Sequence, residues 1–174
     1  MTVDQKKTHA YNVTIQKMFS HEGANGEVMH LGLVKLVDLH RIYKDMGYRF
    51  FERNIRYGLG PENAVNRAIS RSLKSILLEG KEPPEVFAFN HNGISLFAET
   101  IEYNDGTCHI VAPRLLNGAQ TVTTFAGFME SNNDNPKLAQ NKELAESLFV
   151  LCRVITGAPQ SFVTTITINN NRQN

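Results

Sequence analysis

Several features that often reveal a function are missing from this 174-residue sequence. It has no tryptophan, and its two cysteines, Cys108 and Cys152, lie in separate apolar runs without CxxC or Cys/His spacing. This arrangement excludes a zinc site and a disulfide framework. It is typical of cysteines that serve as small, buried hydrophobic residues. No apolar stretch of about 18 residues and no apolar signal region is present. We therefore expect a cytoplasmic protein that does not associate with a membrane.

An excess of charge is also missing. The sequence has 18 Lys and Arg against 17 Asp and Glu, so an overall electrostatic attraction to nucleic acid is excluded and only a local patch could provide one. The signatures GxxxxGK[ST], GxGxxG, HExxH and GxSxG do not occur. Acidic residues with metal-ligand spacing are also lacking, and Glu52, Glu99 and Asp105 are candidates only by elimination. The residues therefore assign no catalytic group, no metal site and no cofactor.

The hydrophobic patterning predicts a mixed α/β (α+β) fold, with a small mixed sheet flanked by helices. An Asn-Asp-Gly turn at 104–106 predicts a β-hairpin. The absence of repeats and linkers favours a single domain over residues 1–174. We predict strands at 10–19, 27–34, 86–90, 93–103, 107–116 and 147–155, and helices at 36–46, 61–79, 120–129 and 161–168, the last of which would also suit a strand.

Four polar clusters stand where apolar runs end: ERNIR (52–56), NHNGIS (90–95), NGAQT (117–121) and NNNRQN (169–174). Asn and Gln do not titrate near neutral pH, so these clusters suit recognition rather than proton transfer. In NGAQT, a glycine stands where a strand gives way to a helix, and N–H groups at a helix start attract phosphate. Arginines at 53, 56, 67 and 71 would supply positive charge.

A plainer interpretation remains open for each cluster. Asn-Gly is mostly a turn signal, amides cap helices, and an arginine in a polar loop is usually solvated. His91 alone is more often a surface residue than a ligand, and the basic side of the 61–79 helix is more often a solvated face. Four clusters with the same chemistry favour one shared site.

The four clusters together resemble the successive motifs of the AIPR family, the abortive-infection phage-resistance proteins. The resemblance covers about residues 50 to 174. His91 stands where the family usually has Asn, and Ser95 replaces Thr. Family members normally continue beyond the last motif, so the resemblance implies a truncated member that lacks the C-terminal part. The matching positions are Arg53, Asn54, Arg56, Leu59, Gly60 and Asn66; Asn92, Gly93, Ile94 and Ser95; Asn117, Gly118, Gln120 and Thr121; and Asn171, Gln173 and Asn174.

A more distant similarity links NGAQT to the Asp-Gly-Gln-His-Arg motif of ParB-like and DNA-modification-associated domains. Asn117 stands in the place of the aspartate, and no arginine follows Gln120. This similarity implies a fold that is ParB-like in outline and a site for a nucleotide or for nucleic-acid phosphate. A hydrolytic role would need a carboxylate that the sequence does not reveal.

We therefore expect a phage-defence protein that binds a nucleotide or nucleic acid through its polar clusters. A non-catalytic regulatory or protein-interaction module is the alternative, a metal-dependent nuclease is a third, and a homodimer is left open. Arg53, Arg56, Asn92, Asn117, Gln120 and at least one of Asn171 and Gln173 should line one concave surface. The predicted ligand-binding residues are Arg53, Asn54, Arg56, Asn66, Asn92, Gly93, Asn117, Gly118, Gln120, Thr121, Asn171 and Gln173.

Overall fold

Residues 9–52 and 64–172 are described by the structure, which is a computed structural model. The strands are β1 (Ala10–Glu22), β2 (Val28–Lys35), β3 (Ile94–Phe97), β4 (Thr100–Asn104), β5 (Thr107–Val111), β6 (Arg114–Asn117) and β7 (Phe149–Thr156). The α-helices are α1 (Leu36–Met46), α2 (Ala64–Leu77), α3 (Ala119–Ser131), α4 (Pro136–Gln140), α5 (Lys142–Glu146) and α6 (Gln160–Arg172). Two 3-10 helices cover Gly47–Phe51 and Pro84–Phe89.

All seven strands belong to one mixed sheet, in the order β4-β5-β1-β2-β7-β3-β6. Neighbouring strands are antiparallel except β3 and β7, which are parallel. Although β3 and β4 stand near opposite ends of this order, only Ala98 and Glu99 separate them in the chain. Three peptide links span at most about 11 Å, so the sheet must curl until its two ends approach each other.

The two faces of the sheet carry different helices. Along β7, Val154 belongs to the main core with α1, α2 and α3, whereas the next residue, Ile155, packs with Val163 of α6. The same division separates Leu115 from Leu116 in β6. Because successive side chains of a strand point to opposite faces, α6 covers the face opposite to α1–α3. We call these the α1–α3 face and the α6 face.

Helix α1 forms because Leu36, Leu39, Ile42 and Met46 recur at helical spacing and are buried, and it ends at Gly47. A buried carboxylate joins it to the sheet. Asp38 Oδ2 accepts a hydrogen bond of 2.7 Å from the Thr14 backbone N–H, and its Oδ1 lies 3.0 Å from an Arg41 guanidinium nitrogen. This contact fixes the start of α1 against β1.

The mixed α/β fold class predicted from the sequence is confirmed, as are the hairpin β4–β5 and the helix over 36–46. The strand predicted at 86–90 is wrong, because Pro84 starts a 3-10 helix in which only Phe87 is buried. The strand predicted at 93–103 is two strands, and the one predicted at 107–116 ends at Val111 before β6 begins. The segment predicted as the last helix is α6. None of the described helices is both long and apolar enough to cross a membrane.

Candidate functional site

A depression of about 690 Å³ lies where β6 ends, β3 begins, and helices α2 and α3 start. Two of the polar clusters meet there, one from the loop before β3 and one from the β6–α3 junction. The first turns of α2 form the opposite wall. We call this depression the amide pocket. Its described lining consists of Ala64, Val65, Ala68, Ile69, Asn90, His91, Asn92, Gly93, Asn117, Gly118, Ala119, Gln120 and Thr121.

The β6–α3 junction depends on Gly118. Its φ of +98° is left-handed, and a Cβ atom there would lie 2.7 Å from Ile94 Cγ1. Glycine adopts this conformation without steric cost, so the chain can turn from strand to helix directly against β3. Asn117 Oδ1 accepts a hydrogen bond of 2.8 Å from the Gly118 N–H. The oxygen of Asn117 is thus committed to the turn, and its NH₂ group is the part it can offer to a ligand.

Gly93 performs a similar role at the start of β3. Its φ is +84°, and a Cβ atom there would lie 2.9 Å from the backbone oxygen of Leu151 in β7. The parallel pairing of β3 with β7 begins one residue later, with Ile94 opposite Cys152. The loop that carries Asn92 is therefore pressed onto the β7 backbone, which positions it beside the start of α3.

The start of α3 brings backbone N–H groups to the pocket. Thr121 N–H and Val122 N–H both donate to the Gly118 carbonyl, at 3.1 and 3.3 Å. The preceding N–H groups, those of Ala119 and Gln120, have no carbonyl acceptor within the helix. Among the described residues, no side chain caps α3. The N-terminal end of this 13-residue helix therefore presents hydrogen-bond donors and a partial positive charge to the pocket.

The family model described as AIPR protein matches residues 51–174, which include every residue that lines the amide pocket. The chain belongs to the AIPR family. Membership supports a role in abortive infection, the defence against phage for which the family is named. Comparisons with curated proteins and with solved structures give no match.

In this AIPR protein, the NHNGIS and NGAQT motifs meet in space. Asn92 and Gly93 of one motif and Asn117, Gly118, Gln120 and Thr121 of the other all line the amide pocket. Their approach agrees with the geometric expectation for Asn92, Asn117 and Gln120. Their binding of a ligand stays a prediction.

The other predicted site residues do not join this group in the described structure. Arg53, Asn54, Arg56 and Gln173 lie outside the described residues, and so does the side chain of Asn171. Asn66 is buried in α2 and is not part of the pocket lining.

Two further sets of polar residues from the sequence analysis lie outside the amide pocket. Asn169 and Asn170, the first residues of the NNNRQN cluster, line a different groove, because α6 lies on the opposite face of the sheet. Arg67 and Arg71 project from the exposed side of α2 and also lie outside the pocket lining, because buried Ile69 and Leu73 turn the apolar stripe of α2 inward.

His91 is a pocket residue that the sequence did not single out as a ligand. Its ring centroid lies 3.9 Å from that of Phe87, and burial lowers the pKa of the imidazole below its usual value. The Nε2 atom of His91 is buried and has no hydrogen-bond partner in the described part of the chain. His91 therefore contributes a neutral ring at neutral pH.

The lining as described carries no Asp, Glu, Lys or Arg side chain. Residues 9–52 and 64–172 also contain no group of three His, Cys, Asp or Glu side chains that could hold a metal ion. The chemistry of the pocket thus rests on amides, one hydroxyl, one neutral imidazole and backbone N–H groups. Such groups bind by oriented hydrogen bonds. The sequence could have predicted Asn90 and His91 as pocket residues, because they belong to the same polar cluster as Asn92.

Proposed function

We propose that this AIPR protein binds a nucleotide in the amide pocket as part of its role in phage defence. The start of α3 carries the proposal. The N–H groups of Ala119 and Gln120, which have no acceptor within the helix, would bind a phosphate group together with the Gln120 side chain, because anions are stabilised at helix N-termini. Gly118 holds these N–H groups at the pocket, because glycine adopts the left-handed conformation of the turn and leaves room for Ile94 of β3.

The size of the pocket favours a small molecule. Ligand sites usually enclose about 300–1,000 Å³, and the amide pocket has a volume of about 690 Å³. Its apolar wall, formed by Val65, Ala68 and Ile69 of α2, would pack against a base or a sugar. The amide of Asn92 would hydrogen-bond to polar edges of the ligand as donor or acceptor, and the NH₂ group of Asn117 would act as a donor.

The absence of charge from the described lining favours a nucleotide over a nucleic-acid polymer. Affinity for a polymer comes mainly from Lys and Arg side chains that neutralise several phosphates. The start of α3 in the amide pocket suits a single phosphate group or a short phosphate chain. Arg53 and Arg56, which we predicted from the sequence, would add to this attraction if they reach the pocket.

Thermal-shift and calorimetric titrations test the proposal. The panel is the ribonucleoside mono-, di- and triphosphates, the matching nucleosides, inorganic phosphate, and 20-nucleotide single-stranded and duplex oligonucleotides. A nucleotide at about 100 times its Kd should stabilise the protein by about 2.7 kcal/mol and raise Tm by about 5–10 °C. The matching nucleoside, which lacks the phosphate, should stabilise much less.

The variant Gln120→Ala should reduce this rise in Tm, because it removes the side-chain contact to the phosphate and leaves the backbone N–H groups in place. The matched control is Gln140→Ala, since Gln140 is an exposed helical glutamine outside the pocket lining. The proposal fails if no nucleotide stabilises the folded protein, and a protein-interaction module then becomes the better interpretation. Stabilisation by oligonucleotides alone would point to nucleic acid instead.

A further inference from the structure

A second depression, of about 410 Å³, lies on the α6 face of the sheet and shares no residue with the amide pocket. It runs between α6 and the ends of β2 and β7, beside the turn that joins β1 to β2. We call it the α6 groove. Its lining consists of His21, Gly23, Glu27, Val28, Met29, Arg153, Ile155, Phe162, Ile166, Asn169 and Asn170.

The floor and one wall of the α6 groove are apolar. Met29 and Ile155 are direct cross-strand neighbours on β2 and β7. Phe162 and Ile166 lie one helical turn apart on α6, so both point to the same side of the helix. These four side chains form a surface that would gain free energy by covering the apolar body of a ligand.

The guanidinium of Arg153 lies beside these apolar side chains in the α6 groove. Arg153 is half-buried in β7, with Leu31 and Ser95 as its neighbours on the adjoining strands. No hydrogen bond or ion pair joins Arg153 to any residue that the structure describes, whereas Arg41 pairs with Asp38 and Arg114 with Glu52. A guanidinium carries five donors in a planar fork that matches a carboxylate, and its partial burial is costly until an anion pairs with it.

Glu27 limits the negative charge that a ligand of this groove can carry. Its Oε2 accepts a hydrogen bond of 2.8 Å from the Asn25 N–H, and hydrogen bonds from backbone groups lower the pKa of its carboxyl group. Glu27 is therefore ionised at neutral pH and repels additional negative charge. A ligand with a single negative charge can pair with Arg153 at the least cost.

We propose that the α6 groove binds a small monocarboxylate with an apolar body, whose carboxylate pairs with Arg153. The apolar body lies against Met29, Ile155 and the Phe162–Ile166 side of α6. The proposal does not rest on nucleotide binding, since the amide pocket lies on the α1–α3 side of the sheet and is formed by other residues.

Titration of the ¹⁵N-labelled protein with octanoate, octan-1-ol and octylamine, each below its micellar concentration, tests this site. Octanoate should shift the amide signals of Met29, Arg153 and Phe162 and bind about tenfold more tightly than octan-1-ol, a difference of about 1.4 kcal/mol, since a hydrogen bond between charged groups is stronger than one to a neutral hydroxyl. Octylamine should bind more weakly than either. Equal affinity for octanoate and octan-1-ol overturns the role of Arg153, and shifts confined to other surfaces, or no binding, overturn the site.

Variants separate the carboxylate contact from the apolar one. Arg153→Gln should reduce the affinity for octanoate about tenfold, to that of octan-1-ol. Arg71→Gln, at an exposed arginine of α2, should leave both affinities unchanged. Phe162→Ala should weaken both ligands. If Arg153→Gln does not fold, the discrimination between octanoate and octan-1-ol by the unaltered protein still decides the question.

Discussion

At the scale of single residues, Gly118 and Gly127 belong to the same helical segment but tolerate a methyl group very differently. Gly118, which precedes α3, has φ of +98° and contacts Ile94, whereas Gly127 lies within α3 and has nothing within 4 Å of the position of a Cβ atom. A side chain at Gly118 would be strained by its backbone and would press on β3.

We expect Gly118→Ala to lower the free energy of unfolding by about 1–3 kcal/mol. Gly127→Ala should raise it by about 0.5–1 kcal/mol, because alanine is the better helix former. Urea denaturation of the two variants measures both changes. Equal effects of the two substitutions would show that the β6–α3 junction does not need a left-handed residue.

At the scale of elements, the attachment of α1 to β1 depends on Asp38. Replacing it with alanine leaves the Thr14 N–H without its acceptor, so we expect Asp38→Ala to lower the free energy of unfolding by about 1–3 kcal/mol. The Arg41 side chain is 61% exposed, and solvent screens its ion pair with Asp38. Arg41→Gln should therefore cost less than about 1 kcal/mol.

Chemical denaturation of both variants provides the comparison. If Arg41→Gln costs as much as Asp38→Ala, the contacts of Arg41, which are the ion pair with Asp38 and a hydrogen bond of 2.7 Å to the Asn12 carbonyl, hold α1 in place as strongly as the Thr14 hydrogen bond. Asp38→Asn adds a further check, since an amide oxygen can still accept from Thr14 but has no charge to offer Arg41.

The elements differ in how well the sequence predicted them, for physical reasons. Helix α1 was predicted with its true bounds, because a single apolar stripe ends at a glycine. The segment Val86–Phe89 was misread because four consecutive residues, three of them large and apolar, have no helical or strand period of their own. The separation of β3 from β4 depends on pairing with β7 and β5, which are distant in sequence, so local patterns could not reveal it.

The candidate site, too, could be predicted from the sequence only in part. Asn92, Asn117 and Gln120 were expected to meet because they stand at the ends of strands and the starts of helices, and the structure brings them to one pocket. The α2 wall, with Ala64, Val65 and Ala68, could not be predicted, since small apolar residues of a helix look the same whether they face a core or a ligand. The position of α6 on the other face also required the sheet order.

At the scale of the whole molecule, partly buried imidazoles and buried thiols define the pH range in which we expect the greatest stability. Burial lowers the pKa of His30, His40 and His91, and the charge of Lys44 also contributes at His40. The folded state therefore binds fewer protons than the unfolded state near pH 6.5, and stability is lost as the pH falls below about 6.5.

The two buried thiols affect stability at alkaline pH. Burial raises the pKa of Cys108 to about 11 and that of Cys152 to about 12, from the value of 9.0 in the exposed group. The folded state keeps these protons after the unfolded state has released them. Their contribution to stability is thus fully present below about pH 9 and is lost as the pH rises from 9 towards 12.

We therefore expect the free energy of unfolding to pass through a plateau between about pH 7 and pH 9 and to fall on both sides. Urea denaturation under reducing conditions, at pH 5 to 10.5, measures the curve. Cys108→Ala should flatten the alkaline limb of the curve relative to the unaltered protein, and His40→Gln should flatten the acidic limb. Either substitution can also change the height of the plateau, so the slopes of the limbs are the quantities to compare. A curve that stays level from pH 5 to 7 would mean that the three imidazoles are protonated equally easily in the folded and unfolded states, which their burial argues against.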